Sequence, residues 1–312
     1  MSIPAISPDP AATIHARGLT RRFGAHEAVK NIDLELRRGE VLGFLGPNGA
    51  GKTTTMQMLT GNLAPTEGEI TICGVDILAR PTAAKARIGY LPENPPLYRE
   101  LTVDEYLQLA VKLHRVPKAE RREAIARAKT RCGLTDVGRK LIGTLSKGYQ
   151  QRVGIAQAIA HEPDVVILDE PTVGLDPNQI RDIRALIREL GGTHSVILST
   201  HILPEVEAIC DRVQILHHGS VVYSDTIAAL KAFHSGRTVL LGLRRPPPDA
   251  ELAAVPGVTA VEHLGELYRL QLSADRDPTE QLVARSVESN WGLYHLAPAQ
   301  TSLEDVFVNL TR

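Results

Sequence analysis

At 312 residues with 43% apolar content, the chain is long enough for a large core and for a second, smaller domain. A formal charge of −1 supplies no general basic field, which disfavours a nucleic-acid partner bound along the whole chain. Three widely separated cysteines, Cys73, Cys132 and Cys210, stand in no metal-ligand spacing and predict idle thiols in a reducing compartment, with no disulfide framework.

The Pro-rich start, Met1 to Pro10, lacks a basic segment and an apolar stretch, and no later run approaches the ~18 apolar residues of a membrane span. A flexible tail over 1–13 and a cytosolic location are therefore expected. Ile14 to Leu19 and Ile32 to Leu36 alternate as strands do, with Phe23-Gly24 in the turn region between them. Phe23 sits in a polar stretch, Arg21-Arg22-Phe23-Gly24, and reads either as core or as a ring on which a flat base stacks. Next, Val41-Leu42-Gly43-Phe44-Leu45 reads as an apolar strand leading into Gly46-Pro47-Asn48-Gly49-Ala50-Gly51-Lys52-Thr53, with helix-like Thr54 to Leu59 behind it. Glycines at this spacing let successive N–H groups converge on one point, and the following helix adds its positive dipole end, so the stretch is a phosphate-binding P-loop. Lys52 can reach β- and γ-phosphates, and the Thr53 hydroxyl can hold Mg²⁺.

Gly68 to Gly74 reads as another strand, and Ile88-Gly89-Tyr90-Leu91-Pro92-Glu93 as a buried strand ending in a carboxylate. Thr102-Val103-Asp104-Glu105 is a capping box that opens a helix through about Leu113, and Glu120 to Arg131 continues helical up to Gly133. Residues from about 95 to 160 thus form a helical insert. It closes with Leu145-Ser146-Lys147-Gly148-Tyr149, where Ser146 can cap the helix that follows and leave a second anion site at its N-terminus. Val165-Val166-Ile167-Leu168-Asp169-Glu170 is too short for a free-standing helix and reads as a buried parallel strand delivering two acids at its end. A turn at Gly174-Leu175-Asp176-Pro177, a helix from Ile180 to Leu190 and a buried strand from Ser195 to Thr200 follow, the last delivering His201 to the same edge of the inferred sheet as Asp169. The other ten histidines, among them His217-His218 in a hairpin turn, read as solvated or locally bonded.

From Arg237 the pattern restarts. Thr238 to Leu243, Val258 to Glu262, Leu267 to Leu272 and Leu293 to Leu296 read as strands; Ala250 to Ala254, Thr279 to Ser289 and Leu303 to Leu310 read as helices. This βαββαβ order suggests a small α+β ferredoxin-like domain with no metal, nucleophile or phosphate motif.

Taken together and in this order, these motifs resemble the ATP-binding subunit of an ABC transporter over roughly residues 14 to 230. The resemblance implies an α/β P-loop NTPase of ABC type, mainly parallel sheet, over 14–235, with the accessory domain at 236–312. It implies a Walker A motif whose Gly46, Pro47, Asn48, Gly49, Ala50, Gly51, Lys52, Thr53 and Thr54 contact ATP, and a Walker B strand ending at Asp169. Ser146 and Gly148 of the signature motif would face the γ-phosphate held by a second copy of the chain, with Asp176 in the D-loop beside the shared site. Thr53 and Asp169 would hold Mg²⁺, Glu170 would polarise the attacking water, His201 would orient it, and Lys52 would neutralise phosphate charge.

The chain departs from the common family form at three places. Its signature reads Leu-Ser-Lys-Gly-Tyr, Glu93 stands where a Mg²⁺-sensing glutamine is usual, and Phe23 replaces a tyrosine while keeping the ring. The signature and the Tyr-Leu-Pro-Glu form look like the exporter branch that includes multidrug and gliding-motility-associated ATPases. The family implies a separate multi-span membrane permease as partner, seated against the region from Glu93 to Leu101, and a position on the inner face of the cell membrane through it; Pro96, Leu97 and Tyr98 read either as that contact or as core. A soluble ABC-type ATPase acting on a non-membrane macromolecule is the alternative. Ser302 to Phe307 resembles the ending of many ATPases of that branch.

Overall fold

The computed structural model describes residues 12–230, 238–273 and 277–298, together with Phe307, and divides into two compact units, Met1–Asp225 and Thr226–Arg312. Most of the expected tail and, apart from Phe307, the expected helix from Leu303 to Leu310 lie outside the described residues.

The first unit is built on a six-stranded sheet of order β10-β9-β3-β8-β7-β6, comprising β3 (Val41–Leu45), β6 (Ile88–Leu91), β7 (Val165–Asp169), β8 (Ser195–Thr200), β9 (Arg212–His217) and β10 (Ser220–Thr226). Strands β9, β3, β8, β7 and β6 run parallel to one another. Every residue of β3, β7 and β8 is buried, which is why they read as continuous apolar runs without alternation. In the ladders Leu45 pairs with Thr200, Asp169 with Ser199, and Leu91 with Leu168. The chain therefore leaves β3, β6, β7 and β8 at one common edge, and the segments carrying Gly46, Glu93, Glu170 and His201 all start there.

A second, antiparallel sheet has the order β2-β1-β4-β5, from β1 (Ala12–Phe23), β2 (His26–Arg37), β4 (Glu67–Ile72) and β5 (Val75–Asp76). Strands β1 and β2 run well beyond the alternating stretches expected from sequence. Alternation is broken at Gly18 (φ 60°) and Asn31 (φ 48°), where the register slips and the Gly18 N–H is taken up by Asp33 Oδ1 at 2.8 Å. Past that irregularity the hairpin continues through polar residues to Phe23, which pairs directly with His26 across the turn. Leu19, Leu34 and Ile70 of this sheet share one core with Phe44 and Ile197 of the other and with Met56 and Met58 of α1 (Lys52–Leu59).

Short α2 (Pro81–Lys85) precedes β6, and the helical insert holds α3 (Val103–Leu113), α4 (Arg121–Arg131) and α5 (Lys147–Ile159). The expected capping box is formed: Thr102 Oγ1 accepts from Glu105 N at 3.2 Å, and the Glu105 carboxylate accepts from Thr102 N at 2.8 Å. Helices α6 (Pro177–Gly191) and α7 (Leu203–Ile209) flank β8 in sequence.

In the second unit β11 (Thr238–Leu243), β12 (Val258–Leu264), β13 (Leu267–Leu272) and β14 (Leu293–Pro298) form a sheet of order β12-β13-β11-β14, with each neighbouring pair antiparallel. Leu252 of α8 (Asp249–Ala253) and Leu282 of α9 (Thr279–Glu288) pack with Val239, Leu241, Leu270 and Trp291 in a single core, so both helices cover the same face. The βαββαβ arrangement is the one the pattern predicts.

Candidate active site

Three glycines shape the loop after β3, each for a different reason. At Gly46 a Cβ would sit 2.6 Å from the Leu216 carbonyl oxygen, so space forbids a side chain. Gly51 has φ 102° and would place a Cβ 2.6 Å from Ala28 O, so both conformation and space do. Gly49 faces open space but has φ 79°. Helix α1 then starts at Lys52 with no side-chain cap and no acidic residue in its first turn, leaving its first N–H groups available to an anion. Lys52 Nζ bridges the loop from within, donating to Gly46 O at 2.9 Å and Pro47 O at 3.3 Å.

Glu170 follows β7 with φ 49°, a left-handed conformation unusual for a residue with a side chain; its N–H donates to Ser199 O at 2.8 Å. That turn aims its carboxylate at two neighbours. His201 Nδ1 lies 2.9 and 3.0 Å from the two oxygens, and Lys52 Nζ lies 3.4 Å from Oε1. Glu170 is buried, whereas the His201 side chain is 43% exposed, so the imidazole reaches out of the protein toward the opening.

Asp169 is fully buried, and neither carboxylate oxygen has a hydrogen-bond partner of good geometry. Burial pushes its pKa up, Glu170 and Glu93 add to the rise, and the nearby Ser199 and Thr53 hydroxyls offset part of it. An unpartnered buried carboxylate beside a threonine hydroxyl is an oxygen-rich setting suited to a hard cation. Among the described residues no group of three or more His, Cys, Asp or Glu side chains could hold a metal alone, so further ligands would have to come from a phosphate or water.

Lys52, Thr53, Glu170 and His201 line a cavity of about 680 Å³, whereas Asp169 is buried beneath it and does not line it. The cavity brings together ten of the residues singled out from sequence: Phe23, Asn48, Gly49, Gly51, Lys52, Thr53, Thr54, Glu93, Glu170 and His201. It also takes in His26, Ala28 and Val173, which sequence reasoning missed. The signal for His26 was available: two residues separate it from Phe23, the spacing of a tight hairpin that sets the two side by side. Phe23 is 48% exposed, and the Arg21 guanidinium stands 4.7 Å from its ring centroid. Gly46, Pro47 and Ala50 support the loop without lining the cavity.

Ser146, Gly148 and Asp176 form a separate cluster outside this cavity. Ser146 caps α5, accepting from Tyr149 N at 3.4 Å, and Asp176 caps α6, accepting from Asn178 N and Gln179 N at 3.0 Å each. A Cβ on Gly148 would meet Gln179 at 2.6 Å, so glycine lets the two helix starts pack together, with the Lys147 ammonium against Gly174. In the insert, Pro96 and Tyr98 are exposed, Leu97 is half-buried, and Tyr98 makes an edge contact with Tyr106.

The profile of the ABC transporter family matches residues 29–173. The bacitracin transport ATP-binding protein BcrA of Bacillus licheniformis is 33% identical, over 95% of this chain and 96% of its own. The chain belongs to the ABC transporter ATP-binding subunits. The daunorubicin resistance ATP-binding protein DrrA3 of Streptomyces coeruleorubidus is 34% identical to this ABC subunit, over 97% of it and 96% of the relative. A dimeric ATP-binding cassette solved in a post-hydrolysis state with ADP and Pi is 25% identical and matches with a TM-score of 0.62, covering 69% of the ABC subunit and 98% of that chain. Family and neighbours make the ABC subunit an ATP-binding ATPase of transport.

Proposed function

We propose that this ATPase subunit works as a pair, closing on ATP to drive a separate membrane permease in the export direction. The observation that carries the reading is the convergence of Glu170, His201 and Lys52 on one cavity at the C-terminal edge of the parallel strands. Relatives named for bacitracin transport and for daunorubicin resistance support export. Among the described residues no helix is long and apolar enough to cross a membrane, and the reading puts the passage in the permease.

In this reading the free N–H groups at the start of α1 cradle the phosphates, and Lys52 exchanges its contacts with Gly46 O and Pro47 O for the β- and γ-phosphate oxygens. Phe23, its far face braced by Arg21, stacks on the base, with His26 beside it. Thr53 and Asp169 would hold Mg²⁺, with Glu93 accepting from its water, and the ion supplies charge neutralisation at the phosphates. Glu170 takes the proton of the attacking water, and His201 holds that carboxylate through Nδ1 while its other nitrogen faces the nucleotide. Ser146 and Gly148 lie outside the cavity of their own chain, as residues that complete a partner's site would. Each hydrogen bond they add to the charged γ-phosphate is worth about 1.5–3 kcal/mol, which ties closure to ATP and opening to its hydrolysis.

Glu170→Gln tests both halves. Phosphate release should fall roughly 10²–10⁴-fold while ATP affinity is kept, since only the base is lost. Wild-type turnover would take Glu170 out of this role. Tagged Glu170→Gln protein captured with ATP from gently solubilised membranes should bring down a multi-span protein in stoichiometric amount; soluble partners alone would sink the permease.

A further inference from the structure

Behind the cavity lies a charge that none of the steps above uses. Glu205, in the first turn of α7, is completely buried. Its Oε1 accepts from Thr172 Oγ1 at 2.6 Å and its Oε2 from Thr200 Oγ1 at 3.1 Å. The Arg184 guanidinium of α6 stands 3.6 Å from Oε1. Both threonines are buried as well, so each hydroxyl has given up water for this carboxylate. Thr172 is two residues after Glu170, and Thr200 immediately precedes His201.

We infer that Glu205 is a positioning residue for hydrolysis, clamping the segment that carries Glu170 to the segment that carries His201. The sheet explains why a clamp is needed. Ladder bonds hold β7 and β8 together as far as the Asp169–Ser199 pair, but Glu170 and His201 lie just beyond the paired stretch. The Glu170 N–H still reaches Ser199 O; the chain after it does not return to the ladder. One carboxylate spanning two hydroxyls sets the separation of the two loops, and with it the 2.9 Å contact between His201 Nδ1 and Glu170. Arg184 offsets the buried charge and ties the clamp to α6, whose N-cap is Asp176. Catalytic groups misplaced by about 1 Å lose on the order of 10²-fold in rate without losing substrate affinity.

The inference rests on Glu170 and His201 serving hydrolysis, so its test carries Glu170→Gln alongside. Thr172→Val keeps shape and removes the hydroxyl; Thr172→Ser keeps the hydroxyl. With Thr172→Val, kcat should fall roughly 10–100-fold while ATP affinity, read by direct nucleotide titration, stays within about twofold. Thr172→Ser should retain kcat within about threefold, and Glu205→Gln should follow the valine variant, retaining affinity. Should Glu205→Gln fail to fold, the threonine pair decides alone. Wild-type turnover by Thr172→Val, equal losses in the valine and serine variants, or a parallel loss of kcat and affinity would each overturn the clamp. In all three cases an inactive Glu170→Gln leaves the site reading intact, whereas an active one removes that reading instead.

Discussion

The two units of the chain contain sheets of similar simplicity and opposite consequence. Five parallel strands in the first unit all release the chain at one edge, so whatever follows Leu45, Leu91, Asp169 and Thr200 is gathered into a single cluster. The four strands described in the second unit run antiparallel to their neighbours, so the chain leaves β11 and β12 at one end and β13 and β14 at the other, and no single edge collects the segments that follow all four. The side-chain contacts described in the second unit follow suit: the His263–Asp249 hydrogen bond and the Arg269–Glu262 ion pair lie at the surface and contribute little to stability. Strand direction, more than composition, decides which unit can concentrate charge around a phosphate.

If that contrast holds, the second unit can be weakened without touching the chemistry. Trp291 is only 4% exposed and packs in that unit's own core with Leu252, Leu270 and Leu282. Trp291→Ala should cost the unit about 3–5 kcal/mol, seen as an earlier melting transition, while ATP affinity and turnover measured below that transition stay as in the wild type. A matching fall in turnover would break the comparison and make the second unit part of the working site.

The same directional logic accounts for what could be read without coordinates. Fully buried strands announce themselves as short apolar runs, and the acids or histidine at their ends inherit the edge; Asp169, Glu170 and His201 needed nothing more. The P-loop is legible because local backbone geometry demands its glycines. The extent of β1 and β2 was not legible, since the left-handed turns at Gly18 and Asn31 erase the alternation that marks a strand. Nor was the bond of Glu205 to Thr172, because 33 positions separate the partners and neither belongs to a local pattern. Asp176, expected in the D-loop beside a site shared with a second copy, stands outside the cavity of its own chain and caps α6.

A smaller effect should also segregate by unit. His161, just past α5, stacks on His114 at 3.6 Å between ring centroids and bonds through Nε2 to Ile88 O at 3.1 Å, while its Nδ1 is buried without a partner. Burial, with help from His114 and His194, pushes its pKa down to about 4. Because the folded pKa lies below the unfolded value near 6.5, the unfolded chain takes up the proton first as pH falls. Stability is therefore full above about pH 6.5 and is lost on the way down to about 4, by roughly 2 kcal/mol at pH 5. His114 and His194 are shifted down by burial too and add in the same direction. Urea unfolding at pH 7.5 and pH 5 should show the loss in the first unit's transition, and His161→Gln should shrink it. An unchanged pH difference in that variant would remove His161 as the cause.

The least change in stability pairs with the sharpest question about function. Ser146 and Thr102 both cap helices of the insert, Thr102 within a full capping box and Ser146 through one longer bond of 3.4 Å to Tyr149 N. As caps alone, Thr102→Ala should cost about 1 kcal/mol and Ser146→Ala somewhat less. Their effects on turnover should run the other way. Thr102 has no place in the proposed cycle, so its variant should hydrolyse ATP as the wild type does. Ser146 is proposed to complete the site of a second copy, so its variant should bind ATP normally as a monomer yet dimerise poorly on ATP and release phosphate slowly. Light scattering with Glu170→Gln in the background separates the two steps, since ATP cannot then be consumed while the dimer is weighed. Equal dimerisation by the Ser146→Ala and Thr102→Ala variants would reduce Ser146 to a helix cap and leave the partner's γ-phosphate without its serine.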